Sequence, residues 1–214
     1  IDNKNASLLL YNDSQISNFK EYGVHVSSNN IKDINIDGVT ITGNQATDSN
    51  SRYGIFIAGN SKVSISGSKI SNCESSGIQS DTNRLLEIYS SIITNNSTGI
   101  NLYNGQAKIQ YNKIHNNSGL GIYADSTIKG ATITYNSFKN NSIAALTAEK
   151  MVDATLNYWG AADGPHVSGS DKESGSGDWI MRESTVKYEP MFSEDIAESM
   201  GDFIGIGNGG SNYE

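Results

Sequence analysis

The sequence predicts an all-β fold, a right-handed parallel β-helix of about six or seven coils with a short C-terminal capping segment. Three observations carry this. A pattern of about 23 residues recurs along the chain. Each copy holds two apolar residues five positions apart, and an Asn and a Gly–aliphatic pair follow them at near-constant offsets. The composition suits short strands joined by tight corners: Ile recurs evenly, Tyr numbers 11, Asn, Ser and Gly are abundant, and only two Pro occur in 214 residues. At 18% charged residues and with regularly spaced Ile, the chain is unlike a disordered one.

The copies begin at Tyr11, Ile36, Ile65, Ile88, Ile109 and Ile133. The second apolar residue of each is Ile16, Ile41, Ile70, Ile93, Ile114 or Phe138. One coil cannot bury such residues alone, so coils must stack, Ile over Ile. At a strand spacing of ~4.8 Å, six or seven coils give a rod about 30 Å long. Asn18, Asn72, Asn95, Asn116 and Asn140 fall two residues after the second apolar position, and Asn44 is displaced by one. Asn tolerates a left-handed corner, and stacked amides can bond from coil to coil. The sequons headed by Asn95, Asn96, Asn116 and Asn140 are therefore expected to face corners or the interior, whereas those at Asn5 and Asn12 are freer. Gly23, Gly54, Gly77, Gly99 and Gly121 precede an aliphatic residue, where unusual corner dihedrals are expected; Ala145 replaces Gly in the sixth copy. The second copy is the longest, and its surplus, Gln45–Arg52, reads as a projecting loop.

Leu156 lies 23 residues after Ile133 and opens "LNYWGAADGP", which puts Trp159 in the slot of Asn112 and Asn136. No Ile-x-Asn-Asn follows. A seventh coil begins there and does not complete, with Trp159 and Tyr158 covering the last interior positions. The chain thus divides into a β-helix over 1–165 and an acidic C-terminal segment over 166–214. That segment contains a short helix from Ser193 toward Gly201 and a Gly-rich tail.

At these residues the sequence resembles the right-handed β-helix repeat proteins of bacterial and archaeal cell surfaces, in the pectate-lyase-like β-helix class. Many of these end with Asn-x-Trp-Gly, Gly-Pro, Gly-Asp and Val-x-Tyr-x-Pro, matched here by "NYWG", "DGP", "SGSGD" and "VKYEP". The resemblance covers roughly residues 7–192. It implies the fold, but the class spans lyases, hydrolases, epimerases, adhesins and envelope proteins.

Residues 1–152 hold 11 acids and 12 bases, and residues 153–214 hold 12 acids and three bases. With no basic stripe, nucleic acid is not an expected partner. No segment is apolar for long enough to insert in a membrane. A single Cys, Cys73, excludes an internal disulfide and reads as a small buried residue. The opening at Ile1 reads as that of a mature or excised fragment, and the composition as that of an extracellular or cell-surface protein.

Residues two and four positions after each coil's Gly should point outward along one face. They are His25 and Ser27, Phe56 and Ala58, Gln79 and Asp81, Asn101 and Tyr103, Tyr123 and Asp125, and Thr147 and Glu149. Rings beside amides and carboxylates suit sugar binding, so Phe56, Asp81, Asn101, Tyr103, Tyr123, Asp125 and Glu149 are the candidate substrate-binding residues. No catalytic or metal-ligating residue is assigned. His25, His115 and His166 lack metal-ligand spacing, and no cofactor is expected; Ca²⁺ is the one ion left open, in Ser168–Asp178.

The expected function is a structural or adhesive cell-surface role. The partners would be a polysaccharide or envelope glycan on the aromatic face, or further copies assembling through residues 191–214 into an envelope layer or filament. The alternative is a polysaccharide hydrolase or lyase. Asp125 and Glu149 on adjacent coils, about 5 Å apart by strand spacing, have the separation of a glycosidase acid pair. Lyase chemistry would need a cation beside the substrate carboxylate, and Arg52, Arg84 and Arg182 are not expected on this face.

Overall fold

A computed structural model describes residues 8–11, 13–27, 33–44, 52–167, 175–181 and 185–196. The first coil comprises β1 (Leu8–Tyr11), β2 (Gln15–Ser17) and β3 (Tyr22–Val26), and the second β4 (Asp33–Asp37), β5 (Thr40–Thr42) and β6 (Tyr53–Gly59). The third has β7 (Lys62–Ser66), β8 (Lys69–Ser71) and β9 (Ser76–Thr82), and the fourth β10 (Leu85–Tyr89), β11 (Ile92–Thr94) and β12 (Thr98–Tyr103). β13 (Gln106–Gln110), β14 (Lys113–His115) and β15 (Leu120–Ala124) make the fifth; β16 (Gly130–Thr134), β17 (Ser137–Lys139) and β18 (Ala144–Ala148) make the sixth. β19 (Val152–Asp153), β20 (Pro165–Val167), β21 (Gly177–Met181) and β22 (Val186–Lys187) close the far end.

Like strands stack in parallel into three sheets: A from the first strand of each coil, B from the second and C from the third. The repeat is thus a parallel β-solenoid. Its core is a set of columns, among them Ile36, Ile65, Ile88, Ile109 and Ile133 in sheet A and Ile41, Ile70, Ile93, Ile114 and Phe138 in sheet B. Each fully buried Ile contributes roughly 1.5–3 kcal/mol of transfer free energy.

The first copy is offset from the sequence alignment. Leu10, not Tyr11, pairs with Ile36, while Ile16 does pair with Ile41. Leu10 and Ile16 are thus six positions apart where Ile36 and Ile41 are five, and Tyr11 pairs with Asp37 and faces outward at 53% exposure.

The five corner Asn behave as expected: Asn18, Asn72, Asn95, Asn116 and Asn140 all have φ between 55 and 60°. One expected corner-to-corner amide bond is present, Asn140 Nδ2 donating to Asn116 Oδ1 at 3.2 Å, but the buried ladder is built by the residues that follow the corner Asn. Asn96 Oδ1 accepts from Cys73 N at 3.0 Å, Asn117 Oδ1 from Asn96 N at 3.1 Å, and Asn141 Oδ1 from Asn117 N at 3.3 Å. Among the described sequon residues only Asn96 is interior; Asn95, Asn116 and Asn140 are exposed, because a left-handed residue at the bend turns its side chain away from the coil. Cys73 occupies the ladder's first slot, fully buried, and burial pushes its thiol up to about 12. A second ladder runs through Ser68, Ser91, Asn112, Asn136 and Asn157 at the corner between sheets A and B.

The repeated Gly column is not a matter of dihedrals. Gly23, Gly54, Gly77, Gly99 and Gly121 have no left-handed φ. A Cβ on each would lie 2.5–2.8 Å from the carbonyl oxygen of the equivalent residue one coil on. The column is Gly because coils approach closely there, and Ala145, at its end, is the last member.

Two features of the far end differ from the sequence expectation. Asn157 continues the ladder of Asn136, so the register step is 21 residues, and Trp159 stands over Phe138 rather than in the slot of Asn136. The seventh coil is then completed out of order: β21 pairs directly with β18, and β20, earlier in sequence, pairs outside β21. Asp178 in β21 terminates the first ladder, accepting from Asn140 N at 2.9 Å, Asn141 N at 2.8 Å and Asn141 Nδ2 at 2.9 Å. The expected helix from Ser193 to Gly201 is described only over 193–196, which form a bend and turn. The Gln45–Arg52 loop, except Arg52, lies outside the described residues, as do the first seven residues of Ser168–Asp178. No helix among the described residues is long and apolar enough to cross a membrane.

Candidate functional site

Sheet C brings the outward residues into register. One row runs His25, Phe56, Gln79, Asn101, Tyr123 and Thr147. The next holds Ala58, Asp81 and Tyr103. Asp125 and Glu149 extend it, their N–H groups donating to Leu102 O at 3.0 Å and Ala124 O at 2.9 Å.

Four of the seven sequence-predicted residues form one cluster. The Tyr123 hydroxyl donates to Glu149 Oε1 at 3.0 Å and reaches Asp125 Oδ2 at 3.3 Å. Burial and the Glu149 carboxylate push that hydroxyl up to about 12. Tyr103 meets the Tyr123 ring edge-on, centroids 6.1 Å apart. Asp125 Oδ1 accepts from Thr127 N at 2.8 Å and Thr127 Oγ1 at 2.7 Å, and these donors hold its carboxyl below the usual range. Asp81 sits at the cluster's margin, bonded by Asn104 Nδ2. Asn101 turns its amide along the sheet to Ser76 Oγ at 2.7 Å.

Phe56 belongs to a separate cluster toward the first coil. It packs with Tyr22, Tyr53 and His25 at centroid distances of 5.1, 5.3 and 5.3 Å, and Tyr22 stacks on His25 at 4.4 Å. The sequence reading missed Tyr22 and Tyr53. Both immediately precede the close-packed Gly, and the ring contacts show that this position also faces outward. Asn104 and Thr127, which orient Asp81 and Asp125, were missed because they lie in the turns beyond the strands.

Two surface recesses lie elsewhere, on sheet A. One of 380 Å³ is lined by Asp33, Asn35, Lys62, Ser64 and Glu87, with Lys62 Nζ 2.7 Å from Glu87 Oε2. Another of 390 Å³ includes Lys108, Thr132 and Met151. On sheet B a Ser, a His and an Asp converge, but not as a nucleophilic site. Ser137 is fully buried and lies between the other two, donating to Asp195 Oδ1 at 2.7 Å with His115 Nε2 at 2.9 Å. A nucleophile would need His between Ser and Asp. Among the described residues no group of three or more His, Cys, Asp or Glu could hold a metal ion.

Fold and face define a parallel β-solenoid with a polar, aromatic long face. Residues 1–171 match the family described as "Right handed beta helix region", and the chain belongs to that family. No curated protein and no solved structure matches the chain at a significant level.

Proposed function

We propose that this β-helix is a non-catalytic cell-surface protein that binds glycan along the outward face of sheet C. The observation that carries this is the in-register row of rings and amides from His25 to Tyr123, flanked by carboxylates already oriented by hydrogen bonds. Rings stack on the apolar faces of pyranoses, and amides and carboxylates accept or donate to hydroxyls. The row follows the rod axis, so an extended polysaccharide can span several coils. Incubation with a panel of neutral and acidic polysaccharides, read for binding and for product, tests the reading. Saturable binding without product, weakened about tenfold or more by Tyr123→Ala, is expected for loss of a central aromatic contact. No binding to any glycan overturns it.

The enzyme reading rests on Asp125 and Glu149 sharing the Tyr123 hydroxyl. It is weaker, because the Tyr123 hydroxyl already occupies the space between the two carboxylates, where a glycosidic oxygen would have to lie. Assembly through residues 191–214 is also weaker for its described part. Phe192 packs on Tyr135 and Asp195 bonds Ser137 of the same chain.

A further inference from the structure

The rings on the outward face of sheet C are grouped, not scattered. The first two coils carry Tyr22 with His25 and Tyr53 with Phe56 in register, and all four are in ring contact. The fourth and fifth coils carry Tyr103 and Tyr123, which meet edge to face. The seventh and eighth strands of the sheet, β21 and β20, carry Trp179 and His166, paired in register with ring centroids 4.5 Å apart. Exposure alternates along β21, so Trp179, 46% exposed, and Met181 point outward on either side of buried Ile180. No ring stands on β9 or β18, the strands of the third and sixth coils. Those coils present Gln79 with Asp81 and Thr147 with Glu149. The ring groups thus recur every three coils, at intervals of about 14 Å for a strand spacing of ~4.8 Å.

We infer that these groups are three subsites for one extended neutral polysaccharide whose sugars return to the same orientation every third residue, as in a β-1,4-linked xylan. The inference rests on the glycan-binding reading above and adds the spacing of its subsites and the chain that fits them. The coil rise of about 4.8 Å is close to the length of one pyranose residue, so three coils pass about three sugars. A three-fold chain then lays a sugar face on each ring group and turns hydroxyl edges to the polar coils between. No strand of sheet C contains a Lys or Arg, while Asp81, Asp125 and Glu149 flank the rings, so an acidic chain meets like charge along its length. A chain held at one group brings its next sugars to the neighbouring group at high effective concentration, so affinity climbs in steps with length. At one sugar per coil, about three sugars cover one group, six cover two and nine cover all three.

The test titrates the full chain by calorimetry with xylan oligomers of three, six and nine residues, and with hexamers of cellulose, a two-fold chain, and of galacturonate. About tenfold or more should separate trimer from hexamer and hexamer from nonamer. The xylan hexamer should bind about fivefold more tightly than the cellulose hexamer, the scale of one matched stacking contact, and the galacturonate should bind least. Trp179→Ala should bring the nonamer to within about twofold of the hexamer and leave the hexamer nearly unchanged, since the first two groups still take it. Tyr111→Ala, at an exposed ring on the corner between sheets A and B, should change nothing. Circular dichroism checks folding, and the length series on the native chain carries the test if Trp179→Ala misfolds. A nonamer no tighter than the hexamer overturns the three subsites, and a weakening by Tyr111→Ala moves the site off sheet C. A cellulose or galacturonate hexamer that matches the xylan hexamer overturns the ligand class. If no xylan oligomer binds but another glycan of the panel does, the inference falls and the glycan reading stands; if no glycan binds, both fall.

Discussion

Trp159 lies face to face on Phe138, ring centroids 4.9 Å apart and planes 7° from parallel. The indole is fully buried and closes the column that begins at Ile16. Its Nε1 has no hydrogen-bond partner, so its contribution is one of packing. Trp159→Ala is expected to cost about 3–5 kcal/mol in chemical denaturation, as for other large-to-small core changes. Trp159→Phe should cost clearly less, because it also removes an unsatisfied N–H. A loss below about 1 kcal/mol for the alanine variant would contradict a capping role.

Asp178 ends the ladder of Cys73, Asn96, Asn117 and Asn141 with a carboxylate rather than an amide. Asp178→Ala would leave three donors, on Asn140 and Asn141, without their acceptor. The expected loss is about 3 kcal/mol, with Asp178→Asn milder because one acceptor oxygen remains. Matching denaturation midpoints for native and alanine proteins would show that water replaces the carboxylate.

Gly99→Ala places a methyl group 2.5 Å from Gly121 O. The coils must move apart, and a loss of about 1–3 kcal/mol is expected. Ala145→Gly, at the column's end, should cost no more than about 1 kcal/mol. Equal effects at both sites would mean that coil spacing does not select Gly.

His115 supplies a pH dependence with a definite sign. Desolvation lowers its pKa below 6.5, and Lys113 and Lys139 add to this, while Asp195 and Asp178 oppose it. The folded ring stays neutral where the unfolded chain has begun to take up a proton. Stability is therefore full above the ordinary histidine pKa and falls as pH drops from there through the lowered value. His115→Gln keeps a donor toward Ser137 and removes the titration. Its thermal midpoint should fall less than the native protein's between about pH 7.5 and pH 5. Parallel curves would assign the pH response to other groups.

The columns were legible in the sequence because stacking repeats one chemical type at one position, as with Ile41, Ile70, Ile93 and Ile114. The left-handed corners after sheet B were legible because Asn tolerates them, but those after sheet A were not, since Ser90, Tyr111, Tyr135 and Leu156 also take positive φ there. The register of Trp159 was readable from a better signal than the apolar spacing: Asn157-Tyr158-Trp159 parallels Asn136-Ser137-Phe138, polar ladder residue first and core ring last. The swap of β20 and β21 was not legible, since nothing local in two short strands tells which one docks first. On sheet C the alternation located Tyr103, Tyr123, Asp125 and Glu149. It could not reveal that the Tyr123 hydroxyl reaches both carboxylates, or that Tyr22 and Tyr53 turn outward ahead of their glycines.

The most direct measurement is chemical-shift mapping of a bound oligosaccharide on the isotopically labelled chain. Perturbations concentrated at Gln79, Asn101, Tyr103 and Tyr123 are the expected result. Perturbations centred on Lys62 and Glu87 in the sheet A recess, or none at saturating ligand, would contradict glycan binding on sheet C.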